Sequence, residues 1–392
     1  MPSTSALCDD VPVTTSTTPL DAAPTSTSAR VTNLDAIRGV AALAILVMNA
    51  VSFFLPEAAY ANLDAAGTNT WLDHVIGIAG EIFVDEKGMA LFSMLFGVGI
   101  VMFAERARAK GRRSVWLSLW RNLLLLGIGF AHSLLWEGDI LMVYAMAAPI
   151  ILALRWLSIR WAFAIGAAML GLSVVSAFIA QGSIGDAGEG LGTFWYLDPV
   201  DSSDTAWAYF LFDGGLRTLA FMLIGMSLYR SGFLHGDREP ATYRRIAIVG
   251  LAVGWSLAAI GVAINYVNDF GPSTAIISGV PNTLGLIPAT LGATSALILW
   301  NQGGETRSRE RIRAVGRMAL TNYLSATVLG LVVFASVVDT ESLSRTAIFG
   351  FVLAVWAMQL WWSTWWLERF RFGPAEWAWR CATYRSWQRL RC

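Results

Sequence analysis

Charge is scarce in this chain. Asp, Glu, Lys and Arg make up only 14% of the 392 residues, and the 28 basic and 28 acidic side chains cancel. A net charge of zero suggests neither nucleic acid nor a generally acidic partner, so the information lies in where the charges fall. Cysteine is rarer still: Cys8, Cys381 and Cys392 stand near the termini, too few for a disulfide framework and in no metal-ligand spacing. Histidine occurs three times, as His74, His132 and His235. No phosphate-cradling glycine loop, zinc spacing or nucleophile elbow is present, so the common motif-borne chemistries are excluded. Residues 1–29, rich in Ser, Thr, Ala and Pro, lack the basic start and apolar core of a secretory signal and read as a disordered cytoplasmic tail.

What the chain has in excess is apolar surface. Hydrophobic residues make up 55% of it and eighteen residues are Trp, a composition suited to lipid rather than water. Continuous apolar runs, near the length a helix needs to cross about 30 Å of hydrocarbon, occur at about 39–55, 88–104, 115–135, 139–154, 161–180, 212–229, 246–265, 283–300, 316–337 and 345–367. The runs do not alternate as barrel strands would, so the expected fold is an all-α polytopic membrane helix bundle of about ten transmembrane helices. All but four of the basic residues fall on the termini and alternate connections, and the other connections are acidic: Glu57, Asp64, Asp73 and Glu81, then Glu137, Asp186 to Asp204, Asp269, and Asp339 with Glu341. Basic residues remain on the cytoplasmic side of a membrane, which predicts that both termini are cytoplasmic in a multi-pass protein of the plasma (inner) membrane. The expected organisation is the tail, an N-terminal transmembrane half over 30–229 bearing the polar motifs, and a C-terminal half over 230–392. The cluster Trp356, Trp361, Trp362, Trp365 and Trp366 reads as one span with its interfacial belt.

The four exceptions are Lys87, Arg121, Arg217 and Arg345. Ionisable groups inside spans are costly and mark function or local pairing. Arg345 reads as a helix-edge charge reaching to water, and Asp213 with Arg217, four apart, as a structural pair. On the opening helix Asp35, Arg38 and Asn49 share one face; they form either an ion pair at a helix start or part of a polar site. Trp71, Asp73, His74 and Glu81 read as a solvated outer connection leading to Glu86 and Lys87, with His74 a candidate base. Between two spans, His132, Trp136, Glu137 and Asp139 are confined to one corner. Asp139 reads equally as a helix cap and as a partner of His132. Arg317, Asn322 and Tyr323 are either interhelical glue or a binding element.

Several of these stretches together resemble a known family. Leu34-Asp35-x-x-Arg38-Gly39 through Asn49, Leu91-Phe92-Ser93-x-Leu95-Phe96-Gly97, His132 through Gly138-Asp139-Ile140-Leu141, Gly316-Arg317-Met318-Ala319-Leu320-Thr321-Asn322-Tyr323, and the tail Phe372-Gly373-Pro374-Ala375-Glu376-Trp377 are similar to the YeiB-like multi-pass membrane proteins of bacteria. The C-terminal half of that family is a domain of unknown function numbered 418. More distantly the chain resembles the transmembrane acyltransferases that acetylate sugars, whose opening helix also carries Leu-Asp-x-x-Arg-Gly. One branch has a reactive His at the position of Asn49; another keeps Asn there and places a His ahead of its second span, where His74 stands. The resemblance implies acyl transfer, with His132 or His74 as base, Asp139 or Glu137 orienting it, and Arg38, Asp35, Asn49, Glu86, Lys87, Arg121, Trp136, Arg317, Asn322 and Tyr323 as the binding set. It also implies no bound cofactor or metal, acyl-CoA as co-substrate, and a small-molecule or lipid-linked acceptor. A small-molecule exporter and a non-enzymatic scaffold remain the alternatives of other classes.

Overall fold

A backbone amide in hydrocarbon has no water to bond to, so an apolar run closes into a helix that satisfies its own N–H and C=O groups. The computed structural model describes residues 31–111, 114–198, 205–336 and 343–391. The tail over 1–29 with Cys8, together with Arg30, Arg112, Arg113, Asp201, Asp204, Asp339, Glu341 and Cys392, lies outside the described residues. Fourteen α-helices occur among the described residues: α1 Thr32–Phe54, α2 Ala58–Ala61, α3 Trp71–Phe83, α4 Lys87–Ala109, α5 Ser114–Ser133, α6 Leu141–Leu154, α7 Ile159–Gly182, α8 Thr205–Arg230, α9 Pro240–Val267, α10 Val280–Gln302, α11 Arg307–Arg317, α12 Ala319–Ser336, α13 Arg345–Leu367 and α14 Pro374–Tyr384. The fold is all-α, and among the described residues one isolated bridge between extended residues pairs Phe370 with Arg391.

Eight helical segments among the described residues are long and apolar enough to cross a membrane, and a ninth is the pair α11–α12, bent by 82°. The ten apolar runs map onto these nine and α6. With 14 residues, α6 reaches only about 21 Å at 1.5 Å per residue, short of the hydrocarbon thickness. Pro149 lies inside it, where its missing N–H removes one helical bond.

Helix α1 is the hub, packed against α4, α10, α11, α12 and α13. Two reciprocal glycine contacts bring backbones together there and beside it. A Cβ on Gly39 would overlap the carbonyl of Ile312 in α11, and one on Gly316 would overlap the carbonyl of Asp35 in α1. Gly97 of α4 lies against the backbone of Met222, and Gly225 of α8 against that of Met94. Without a hydrophobic drive between helices in lipid, such close approach supplies packing energy instead. Helices α7 and α9 turn Phe178, Ile179, Ile248 and Val249 outward, as lipid-facing surfaces do.

One stretch departs from the sequence reading. Residues 71–83 are not a solvated connection but helix α3, opened by a capping box in which Thr70 and Asp73 bond each other's backbone N–H. Asp73 is fully buried. Its other oxygen accepts from Thr346 N at 2.8 Å and Thr346 Oγ1 at 2.6 Å, so one carboxylate caps both α3 and α13. Arg345 does not reach water either. It is buried, with Nη2 donating to the carbonyl of Ala59 at 2.6 Å and Nε to Thr68 Oγ1 at 3.1 Å.

Candidate functional site

Between these helices lies a cavity of about 800 Å³. Its walls come from the second half of α1 (Asn49, Ser52), the break between α3 and α4 (Asp85, Glu86), the α5–α6 turn (Ser133 to Ile140), α8 (Trp207 to Arg217), and Asn265 and Asn282 of α9 and α10. The acidic connections stand at this end of the bundle.

The α5–α6 turn is short, with α6 beginning only eight residues after α5 ends, and its polar side chains divide: His132 and Asp139 are buried while Glu137 is exposed. His132 is buried, and its Nδ1 lies 2.8 Å from Asp139 Oδ1. Asp139 Oδ2 accepts from Met142 N at 3.0 Å, capping α6, while Tyr323 Oη of α12 donates to Oδ1 at 3.3 Å. The two readings of Asp139 are therefore both met by one side chain. With Asp139 accepting at Nδ1, the neutral imidazole carries its proton there and leaves Nε2 as an acceptor. Nε2 is buried without a hydrogen-bond partner among the described residues. Gly129 makes room for this: a Cβ there would come 2.9 Å from Asp139 Oδ2 and 2.8 Å from Met142 N. The imidazole itself does not line the cavity, whereas Asp139, Glu137 and Trp136 do. Trp136 packs edge-on to the imidazole at 6.0 Å between ring centroids, and its Nε1 donates to Ser52 Oγ at 3.3 Å.

Across the cavity the α3–α4 break gathers charge. Glu86 holds φ at 59°, a left-handed conformation that costs a non-glycine residue about 1–2 kcal/mol and is kept where surrounding contacts over-determine it. Those contacts are Arg217, which pairs with Glu86 and, at 2.6 Å, with Asp213, and Asn282, whose Nδ2 donates to Glu86 Oε2 at 3.0 Å. Lys87 is buried, donating to Asn282 Oδ1 at 2.6 Å and to the carbonyl of Glu81 at 2.9 Å. Asp213 also accepts from Ser173 Oγ. Above them, in α2 and outside the spans, burial and the carboxylates of Asp85, Glu81 and Glu86 push the Tyr60 hydroxyl well above its ordinary pKa, which keeps it protonated.

Comparison with known proteins gives this arrangement relatives. Residues 228–386 match the family described as "Protein of unknown function (DUF418)". The chain is 31% identical to "Uncharacterized protein YeiB" of Escherichia coli (strain K12), over 90% of this chain and 96% of that protein. The chain belongs to the YeiB-like family. It is also 29% identical to "Uncharacterized protein YxaH" of Bacillus subtilis (strain 168), over 93% of this chain and 97% of the relative. A 39.9 kDa protein encoded in the amylase 3' region of Bacillus acidopullulyticus is 27% identical, over 92% and 96% of the two chains.

In this YeiB-like chain the residues singled out by sequence do not all meet. Asn49, Glu86, Trp136, Glu137 and Asp139 line the cavity, Lys87 lies buried behind Glu86, and His132 and Tyr323 flank Asp139. Arg38 precedes Asn49 by eleven residues, about 16 Å along α1, and pairs with Asp35 at 3.1 Å. Arg121 precedes His132 by the same interval on α5. Its guanidinium stacks on Phe103 at 4.6 Å and Trp379 at 4.2 Å, and it feels the charges of Arg380 and Arg38. These arginines therefore form a second polar level, beneath α14. Arg317 is half-buried at the α11–α12 bend. Asn322 is helix glue: it bonds the carbonyl of Val315, Ser363 Oγ and Trp362 Nε1. His74 is on the α3 surface facing α9, with Nδ1 3.0 Å from Tyr266 Oη, and is not part of the cavity wall. His235 is half-buried and lies against Tyr229, the rings tilted by 37° with centroids 4.9 Å apart, rather than standing free in water. Sequence reasoning missed Asn282, whose signal was a lone amide opening an apolar run, and it read Arg217 only as the partner of Asp213.

Proposed function

We propose that the protein is a membrane-embedded acyltransferase, moving an acyl group from a thioester donor such as acyl-CoA to a hydroxyl or amine of a small or lipid-linked acceptor in the cavity. The observation that carries this reading is the His132–Asp139 pair, whose Nε2 is left unsatisfied beside the cavity wall. A buried acceptor nitrogen without a donor costs about 1–3 kcal/mol and is retained where it has work to do.

In this reading Trp136 swings from Ser52 to open Nε2. The imidazole takes the proton of the acceptor hydroxyl as its oxygen attacks the thioester carbonyl. The tetrahedral intermediate collapses, the C–S bond breaks, and the departing thiolate receives the proton back from the imidazolium. The products are ester and thiol. Asp139 holds the tautomer and stabilises the imidazolium charge. Arg38 and Arg121, at the opposite level, bind the anionic part of the donor. With the termini in the cytoplasm, donor and acceptor approach from opposite sides of the plasma membrane.

Membrane vesicles given radiolabelled acetyl-CoA test this. Label transferred by the wild type should fall to background in His132→Ala and persist in His74→Ala. Transfer undiminished in His132→Ala would overturn the assignment. The paired charges at the α3–α4 break favour a second reading, a carrier for small molecules. A deletion strain separates the two: loss of an acylated species supports the enzyme, and accumulation of an unmodified species inside the cell supports the carrier.

A further inference from the structure

The cavity wall is chemically lopsided. Among the described residues, seven carboxylates and a single guanidinium, that of Arg217, contribute to it. That guanidinium is already committed to Glu86 and Asp213, and the Lys87 ammonium to Asn282 and a backbone carbonyl. Asp85 is less fully served, with the Tyr60 hydroxyl beside it. It is nine-tenths buried, lines the cavity, and its Oδ1 has no hydrogen-bond partner; among the described residues Lys87 and Arg217 act on it only from beyond salt-bridge distance. Asn265 Oδ1, on another wall, is a second buried acceptor without a donor. Both atoms call for N–H donors, and a buried carboxylate calls for positive charge.

The occupant is not a bare metal ion. Among the described residues no group of three or more His, Cys, Asp or Glu is placed to hold one, and about 800 Å³ is the volume of a small-molecule site. Tyr60, Trp207 and Tyr209 add aromatic rings to the same walls, and such rings attract organic cations through their faces. We infer that the cavity receives an organic ammonium group, seated against Asp85 Oδ1 between these rings. This names the ligand class of the cavity to which the acyl-transfer reading assigns the acceptor, yet it stands on the cavity alone. Its test is therefore run without an acyl donor.

Intact protein in lipid nanodiscs is titrated with tritiated 2-phenylethylamine, protonated at pH 7, and displacement by unlabelled amine is compared with displacement by 2-phenylethanol, its neutral counterpart. The expected result is at least a tenfold preference for the amine, falling below threefold in Asp85→Asn. Equal displacement by the alcohol, or an undiminished preference in Asp85→Asn, would overturn the inference. Should that variant not fold, the wild type still decides. Unlabelled 3-phenylpropylamine, also protonated at pH 7, should displace the amine and 2-phenylacetate should not; the reverse order would also overturn it.

Discussion

Asp139 offers the sharpest perturbation, because one side chain serves a helix cap, an imidazole and a tyrosine. Truncation in Asp139→Ala removes the bond to Met142 N, worth about 1 kcal/mol as a cap. It also strands the buried His132 Nδ1–H and weakens the hold on Tyr323 Oη, at about 1–3 kcal/mol for each group left unpaired. A loss of about 3–7 kcal/mol in unfolding free energy is therefore expected, read from denaturant titration in mixed micelles. Asp139→Asn behaves differently. Its amide oxygen keeps one acceptor for the α6 cap, so most stability remains, but its charge is gone and its NH2 favours the other imidazole tautomer. Transfer should then fall about 10²- to 10⁴-fold, the range of a lost general base. If Asp139→Ala unfolds at the wild-type midpoint, the hydrogen-bond accounting is wrong. If Asp139→Asn transfers acyl groups at the wild-type rate, the mechanism is wrong.

Gly316→Val should prevent correct assembly, since even a Cβ meets the carbonyl of Asp35 and overpacking costs about 1–3 kcal/mol before branching is added; a monodisperse wild-type profile in size-exclusion chromatography would contradict this. Glu376 clamps α14 onto α12 by accepting from Leu320 N at 2.8 Å, Thr321 N at 3.1 Å and Thr321 Oγ1 at 2.5 Å, so Glu376→Ala should speed hydrogen exchange at residues 319–322 and 374–384. Burial raises the Glu376 pKa against the lowering effect of its hydrogen bonds. A carboxyl whose folded pKa is raised contributes stability below its unfolded value and loses it as pH rises through the folded value. The clamp should therefore loosen on going from acid toward neutral pH, and Glu376→Gln should abolish that dependence. Cysteines placed at Glu137 and at Ser308 should react with an impermeant maleimide from opposite sides of the membrane, with Ser308 on the cytoplasmic side; labelling of both from one side would refute the orientation drawn from the arginines.

The sequence carried the bundle well because span formation in lipid is a local matter of length and hydropathy. Helix α3 escaped because Asp73, His74 and Glu81 interrupt its apolar face, and nothing local shows that Asp73 spends its charge on two helix starts. The bend at Met318 escaped because it falls where the Arg-rich α11 gives way to the apolar α12, a boundary that reads in the sequence as the edge of a span rather than as a turn. In the candidate site, His132 and Asp139 were legible together because seven residues separate them. Lys87 and Asn282 were not, being 195 positions apart, nor was the distance that keeps Arg38 and Arg121 away from the cavity. A polar residue in a span announces that it has a partner without saying which.

The contact between Lys87 and Asn282, like that between Tyr323 and Asp139, runs across the seam between α1–α8 and α9–α14. Each portion thus finishes the other's electrostatics. A polypeptide severed in the loop near Gly236 would have two insoluble debts and one remedy, so fragments made separately in the same bilayer should reunite without a covalent tether.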